Sequence, residues 1–196
     1  MMLSPIREEQ AKAGEVVLAV RNLESFYGPI MAIRGVSLDV REGQIVTVLG
    51  ANGAGKTTLL KTVSGVMNPE KGQILYNGRN IAGSEPDEGV RAGIAHVPEG
   101  REVFPLLTVE ENLDTAAAIR APHFPVHERR RRVDSKLIEL GLNEIRHRLA
   151  GDQETKSLSG GQRRRLNAGM DMIGIADIYL FDEPTSGLSS KDSEHV

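Results

Sequence analysis

The sequence predicts an α/β fold in which a helical insert divides a sheet with buried parallel strands. Three observations predict it. An apolar, β-branched run, Ile45-Val46-Thr47-Val48-Leu49, leads into a glycine-rich turn and then a helical pattern. A second apolar run, Ile178-Tyr179-Leu180-Phe181, ends in two adjacent carboxylates, Asp182 and Glu183. Between these runs, residues 109–150 carry helix signals and proline breaks rather than strand alternation.

The chain has 196 residues, 39% of them hydrophobic and 26% charged, enough for one domain with a substantial core. Its formal net charge of −3 gives no general attraction to nucleic acid, and none is expected as a partner. There are no cysteines, which excludes disulfides and thiolate metal sites. Residues 1–14 lack the apolar centre of a signal peptide and read as a flexible leader. Residues 15–196 read as a single domain, with 15–108 and 155–196 as its core and 109–154 as the helical insert. No run approaches the roughly 18 apolar residues of a membrane span. A cytoplasmic protein is therefore expected, with any membrane role reached through a partner.

Taken in order, Val16–Leu23 is dense in apolar residues and reads as a strand. Phe26-Tyr27-Gly28-Pro29 reads as a turn carrying two aromatics, in a chain with four phenylalanines and three tyrosines. An aromatic face there suits stacking on a purine; a ring covering a sheet edge fits the spacing equally well. Ile33–Val40 alternates and reads as a strand, and Arg41-Glu42-Gly43 turns into the central run 44–49.

Gly50-Ala51-Asn52-Gly53-Ala54-Gly55-Lys56-Thr57-Thr58 then fits G-x-x-x-x-G-K-[ST] between a strand and a helix, the phosphate-binding loop. Glycines at 50, 53 and 55 are expected to take positive φ and bring the backbone close to an anion. Successive N–H groups and the positive end of the new helix face that anion. Lys56 reaches β- and γ-phosphates, and the Thr57 hydroxyl is an Mg²⁺ ligand.

Glycine, asparagine and proline in 65–72 end the helix. Gln73–Tyr76 reads as a short strand, Asn77-Gly78 as a hairpin turn, Pro86–Ala92 as a short helix and Ile94–Val97 as a buried strand. Pro98–Thr108 is a loop. Thr108 and Glu111 form a capping box that opens a helix to about Ala118, and Pro122 and Pro125 break it. Val126–Leu140 is a helix with Val133, Leu137 and Leu140 on one face. The charge run Arg129–Arg132 reads as its solvated face in preference to a binding patch. Ser157-Leu158-Ser159-Gly160-Gly161-Gln162 is a glycine-rich turn into a helix whose Leu166, Met170 and Ile173 face the core. Asp182 and Glu183 stand at a strand's C-terminal tip, where α/β ligands sit. Asp182 suits holding a metal through water and Glu183 accepting a proton from an attacking water. A strand that merely ends in polar residues is the plain alternative.

Four stretches in this order resemble the ABC-type ATPases: Gly50–Thr58, Leu158–Gln162, Ile178–Glu183 and Pro184-Thr185-Ser186-Gly187-Leu188. The resemblance covers about residues 16–190. Within the family, Ala95–Pro105 with Leu107–Leu113 resembles the ATP-binding subunits of branched-chain amino-acid importers. It implies the ABC ATPase form of the P-loop NTPase fold: a mixed sheet around a parallel core, an antiparallel β part and a helical subdomain. Beyond about residue 155 the likeness is less typical. Ser189-Ser190-Lys191 and Asn167–Gly174 depart from the pattern, and the last strands and a switch histidine are missing before Val196.

The resemblance also implies roles. Tyr27 stacks on adenine, and Gly50, Asn52, Gly53, Ala54, Gly55, Lys56, Thr57 and Thr58 bind the phosphates of ATP. Thr57, Asp182 and Glu99 hold Mg²⁺, and Glu183, Lys56 and Glu99 carry catalysis. Ser159, Gly160, Gly161 and Gln162 close on the nucleotide of a second cassette, identical or related, stacked head to tail. Transmembrane permease subunits hold the pair at the inner face of the plasma membrane. The expected function is ATP hydrolysis driving amino-acid import. Its rival is a module that dimerises on ATP with little turnover, because the switch region is absent. A soluble ABC ATPase of translation or repair fits less well, since those usually carry two cassettes or a coiled-coil insert.

Overall fold

Alternation in residues 16–41 folds as a long hairpin. The computed structural model describes residues 14–98, 103–151 and 157–183. These fall into two compact units divided after Glu85. In the first, β1 (Val16–Tyr27) pairs antiparallel with β2 (Ile30–Arg41) across Gly28-Pro29, with Val20 opposite Leu38 and Leu23 opposite Val36. The strand runs to Tyr27, so Phe26 and Tyr27 belong to β1 rather than to the turn. β3 (Lys71–Tyr76) pairs on the other edge of β1, and Asn77-Gly78, both at positive φ, turns it into β4 (Arg79–Asn80). The order is β2-β1-β3-β4. Leu18, Val20, Leu23 and Ile74 are buried in this sheet. α1 (Lys56–Val63) buries Leu59, Thr62 and Val63, and the hydroxyls of Thr62 and Ser25 lie 3.1 Å apart.

One expectation is corrected. Residues 44–49 are not a strand: Ile45 is 93% and Leu49 87% exposed, and no ladder includes them. A strand exists through its neighbours' hydrogen bonds. The Gln44 N–H donates to Arg41 O in a turn, and the sheet of this unit is antiparallel and complete without the run. Apolar composition alone does not supply a partner.

The second unit is built on helices. It contains α2 (Pro86–Ala92), β5 (Ile94–Val97), α3 (Val109–Arg120), α4 (Val126–Glu139), a single 3₁₀ turn at Asn143–Ile145, α5 (Gly160–Met172) and β6 (Ile178–Phe181). β5 and β6 pair in parallel, Ile94 opposite Ile178 and Val97 opposite Phe181. Thr108 caps α3 as a capping box with Glu111. Leu113 of α3, Leu137 of α4, and Leu166 and Ile173 of α5's face form one core with Leu142. Burying each such side chain contributes about 2 kcal/mol. Gly169 permits the close crossing: a Cβ there falls 2.4 Å from Leu140 Cδ1 and 3.2 Å from Leu113 Cδ2. The arginine run of α4 is engaged locally. Arg131 pairs with Glu128 at 2.6 Å, Arg129 donates to Phe124 O, and Arg132 lies 4.3 Å over the Phe124 ring. No helix among the described residues is long and apolar enough to cross a membrane.

Arg146 ties three elements together by donating to Glu110 and Asp134 at 2.7 Å each. These hydrogen bonds hold the Glu110 carboxyl below the ordinary glutamate value of 4.5 against the opposing effect of burial, and the charges of Arg146, His147 and Arg130 add to them. A lowered folded value means the stabilisation is present above pH 4.5 and is lost as pH falls through that lower value. Urea midpoints of the protein should therefore drop on acidification below this point. In Arg146→Met the same titration should show a smaller drop; an identical pH profile in both proteins contradicts the assignment.

Candidate nucleotide site

The phosphate-loop candidates all lie in the first unit, at the start of α1. Gly53 and Gly55 take φ of 81° and 89°, as the loop pattern requires. Gly50 does not adopt positive φ; its need for glycine is spatial, since a Cβ there meets the Ala54 Cβ at 3.0 Å. Gly55 is the N-cap of α1 and offers no side chain to the helix's first amides, so these point out of the helix end without a side-chain cap. The Lys56 ammonium folds back across the loop, donating to Gly50 O at 3.0 Å and Ala51 O at 3.1 Å. Asn52, Gly53 and Ala54 are exposed at the loop's tip, Thr57 is half-buried and Thr58 buried. Amides, a cation and a hydroxyl thus converge at one helix start, the donor set that a polyphosphate takes. Tyr27 ends β1 with its ring 49% exposed, in keeping with either stacking on a base or a ring at the sheet margin.

The carboxylates lie in the second unit. Asp182 follows β6 and is 5% exposed, and its N–H donates to Val97 O at the end of β5. Glu183 has φ 48°, unusual for a residue with a side chain. Both stand at the C-terminal ends of the parallel pair. Glu99 and Pro184–Leu188, with Ser189–Lys191 and His195, lie outside the described residues. Among the described residues no cluster of three His, Cys, Asp or Glu forms a metal cage. The Thr57 hydroxyl in the first unit and the Asp182 carboxylate in the second are each hard oxygen donors of the kind that Mg²⁺ takes.

The glycine-rich turn at 157–162 is a second capping box. Ser159 Oγ accepts the Gln162 N–H at 3.1 Å, and Gln162 Oε1 accepts the Ser159 N–H at 3.0 Å. The S-x-x-Q spacing of Ser159 and Gln162 carries this signal in the sequence. Ser159 and Gly160 are exposed, Gly161 buried and Gln162 half-buried. The second unit also holds a groove of about 930 Å³ lined by Phe104, Ile119, Arg120, His123, Asp171 and Ile175, among others. Arg120 and Asp171 are ion-paired in its wall.

A family model described as ABC transporter matches residues 33–186. The chain belongs to this family. The cassette is 36% identical over 173 residues to the high-affinity branched-chain amino acid transport ATP-binding protein BraG of Pseudomonas aeruginosa, covering 88% of this chain and 71% of that protein. It is 36% identical over 179 residues to the ABC-type organic anion transporter ABCA8B of Mus musculus, covering 89% of this chain. It is 36% identical over 161 residues to ABC transporter G family member 17 of Arabidopsis thaliana, covering 81% of this chain. The chain spans only 11% of the mouse protein and 24% of the plant protein. A solved ATP-binding cassette of an ABC transporter in its ADP conformation matches with a TM-score of 0.79 at 25% identity, covering 92% of this chain and 74% of that one. A nucleotide-free cassette matches at 0.78 and 24% with the same coverage, a likeness of fold. The antiparallel sheet, the parallel pair and the helical unit are thus those of an ABC ATPase fold.

Gly55 gives the sharpest test of the loop. Its backbone has positive φ, and a Cβ added there would lie 2.7 Å from Ala32 O of β2. Gly55→Ala should destabilise the first unit by at least about 2 kcal/mol, from the left-handed backbone and the contact together. Urea unfolding followed in both proteins reads it; an unchanged midpoint contradicts the loop conformation.

Proposed function

We propose that this chain is the ATP-binding and ATP-hydrolysing cassette of an importer for branched-chain amino acids. It works as a head-to-tail pair, held at the inner face of the plasma membrane by permease subunits. The observation that carries the reading is the convergence of Lys56, the left-handed Gly55 turn and the N-terminus of α1 at one point. A triphosphate is the ligand that uses all of them: the amides take its oxygens, and Lys56 leaves its loop carbonyls for the β- and γ-phosphates. Tyr27 supplies a face for adenine. Thr57, Asp182 and Glu99 would hold Mg²⁺, which would supply positive charge to the phosphates.

Glu183 orients a water and takes its proton as the water oxygen bonds to the γ-phosphorus. The bond from that phosphorus to the β–γ bridging oxygen breaks, and ADP keeps the electron pair. Ser159, Gly160, Gly161 and Gln162 meet the nucleotide bound to the other cassette. The Ser159 hydroxyl accepts from Gln162 within its own turn, which leaves its hydrogen to donate to phosphate. Each nucleotide is then part of the interface, so binding closes the pair and hydrolysis opens it. The apolar groove beside Ile119 offers a permease segment a surface to seat on. Import of branched-chain amino acids is favoured by the extent of the match to BraG, which spans 71% of that protein, against 11% of ABCA8B.

Glu183→Gln tests the chemistry. The variant should bind Mg-ATP as the parent does, accumulate as a dimer by size-exclusion chromatography, and turn over at least about a hundredfold more slowly. A variant that stays monomeric with saturating Mg-ATP, or hydrolyses at the parental rate, contradicts the assignment. In vesicles containing the permease subunits, leucine accumulation coupled to turnover supports the substrate. Turnover without leucine movement removes the substrate but leaves the cassette.

A further inference from the structure

The loop before α3 and the Ser159 turn lie some fifty residues apart in sequence, yet a continuous set of polar contacts, part-buried at Asn112 and buried at Arg163, joins them. Asn112 is fully buried in α3. Its Oδ1 accepts the Phe104 N–H at 2.7 Å, and its Nδ2 faces three carbonyls: Phe104 O at 3.1 Å, Leu107 O at 3.3 Å and Thr108 O at 2.8 Å. One amide thus fixes both ends of the loop 104–108. That loop in turn receives the segment before the Ser159 turn: Ala150 N–H donates to Leu107 O at 2.8 Å, and Gly151 N–H to Pro105 O at 2.9 Å. The other faces of the same two residues meet Arg163. Its Nη1 donates to Gly151 O at 2.6 Å and its Nη2 to Ala150 O at 3.1 Å. Arg163 is buried in the first turn of α5, where its own N–H donates to Ser159 O at 3.0 Å.

A buried asparagine and a buried guanidinium used on backbone carbonyls are costly to place, and their geometry tolerates little slack. We infer that Asn112 and Arg163 are positioning residues that join the 104–108 loop, residues 150–151 and the Ser159 turn into one rigid relay. The relay itself is a property of the chain. Its consequence rests on the proposed pairing of cassettes: whatever displaces the 104–108 loop is carried to the Ser159 turn, which meets the opposite nucleotide. The first-unit loop that takes the same chain's own triphosphate is not part of it.

Asn112→Asp keeps the shape and the Oδ1 acceptor while removing the three-carbonyl donor. Arg163→Gln removes the fork, and Arg163→Lys is the milder version should Gln prevent folding. Amide hydrogen exchange on the full chain reads the relay without nucleotide. Asn112→Asp should speed exchange at Gln162 and Arg163, and either Arg163 variant should speed it at Phe104 and Leu107, by at least about fivefold each. Changes confined to each variant's own neighbours overturn the relay. In the Glu183→Gln background, the two substitutions should weaken ATP-driven dimerisation non-additively while nucleotide affinity of the monomer holds. Additive losses overturn the coupling. Cross-effects in the variants' exchange, with no Mg-ATP binding by the parent protein, keep the relay and refute the proposed function instead.

Discussion

Everything about the nucleotide site depends on a left-handed residue at the start of α1. Gly55 turns the chain at φ 89°, passes within contact of the Ala32 carbonyl and begins the helix in one step. Because it brings no side chain, Gly55 makes no side-chain hydrogen bond to the helix's first amides. Because the turn is tight, Lys56 is placed to span the loop. A lone helix terminus is a weak anion site; a cation and loop amides at the same point are the donor set that a polyphosphate would use. The sheet β2-β1-β3-β4 contributes by fixing Ala32 and by giving α1 a surface on which Leu59 and Val63 are buried.

The second unit has a different logic. Its parallel pair places Asp182 beside the end of β5, so that the two carboxylates following β6 emerge at the C-terminal edge of the pair. Its helices form a core of their own, in which α5 joins α3 and α4 through Gly169. The Ser159 turn is therefore anchored in the helical packing while its polar groups face outward. Such an arrangement suits a turn that meets another molecule: rigid beneath, exposed above.

Much of this was legible in the residues because short-range chemistry dominated. Asn77-Gly78, the Thr108–Glu111 box, Pro86–Ala92 and Ile94–Val97 have local causes and sit where those causes put them. The phosphate loop was legible for the same reason, although Gly50 needs space rather than positive φ. What was not legible depended on partners distant in sequence. Residues 45–49 have strand composition without a ladder, because pairing belongs to neighbours and not to the run itself. The β1 hairpin reaches Tyr27 because Ile30 pairs with it across Gly28-Pro29. The contacts of Asn112 and Arg163 leave no periodic trace at all, since both are single polar residues on otherwise ordinary helix faces.

Calorimetric titration of the full chain with Mg-ATP, beside Lys56→Ala, tests the central claim most directly. Saturable binding is expected in the parent, weakened by roughly 2 kcal/mol, about thirtyfold, when the charged donor is removed. Absence of saturable binding in the parent, or equal affinity in the two proteins, would contradict a triphosphate held at the start of α1.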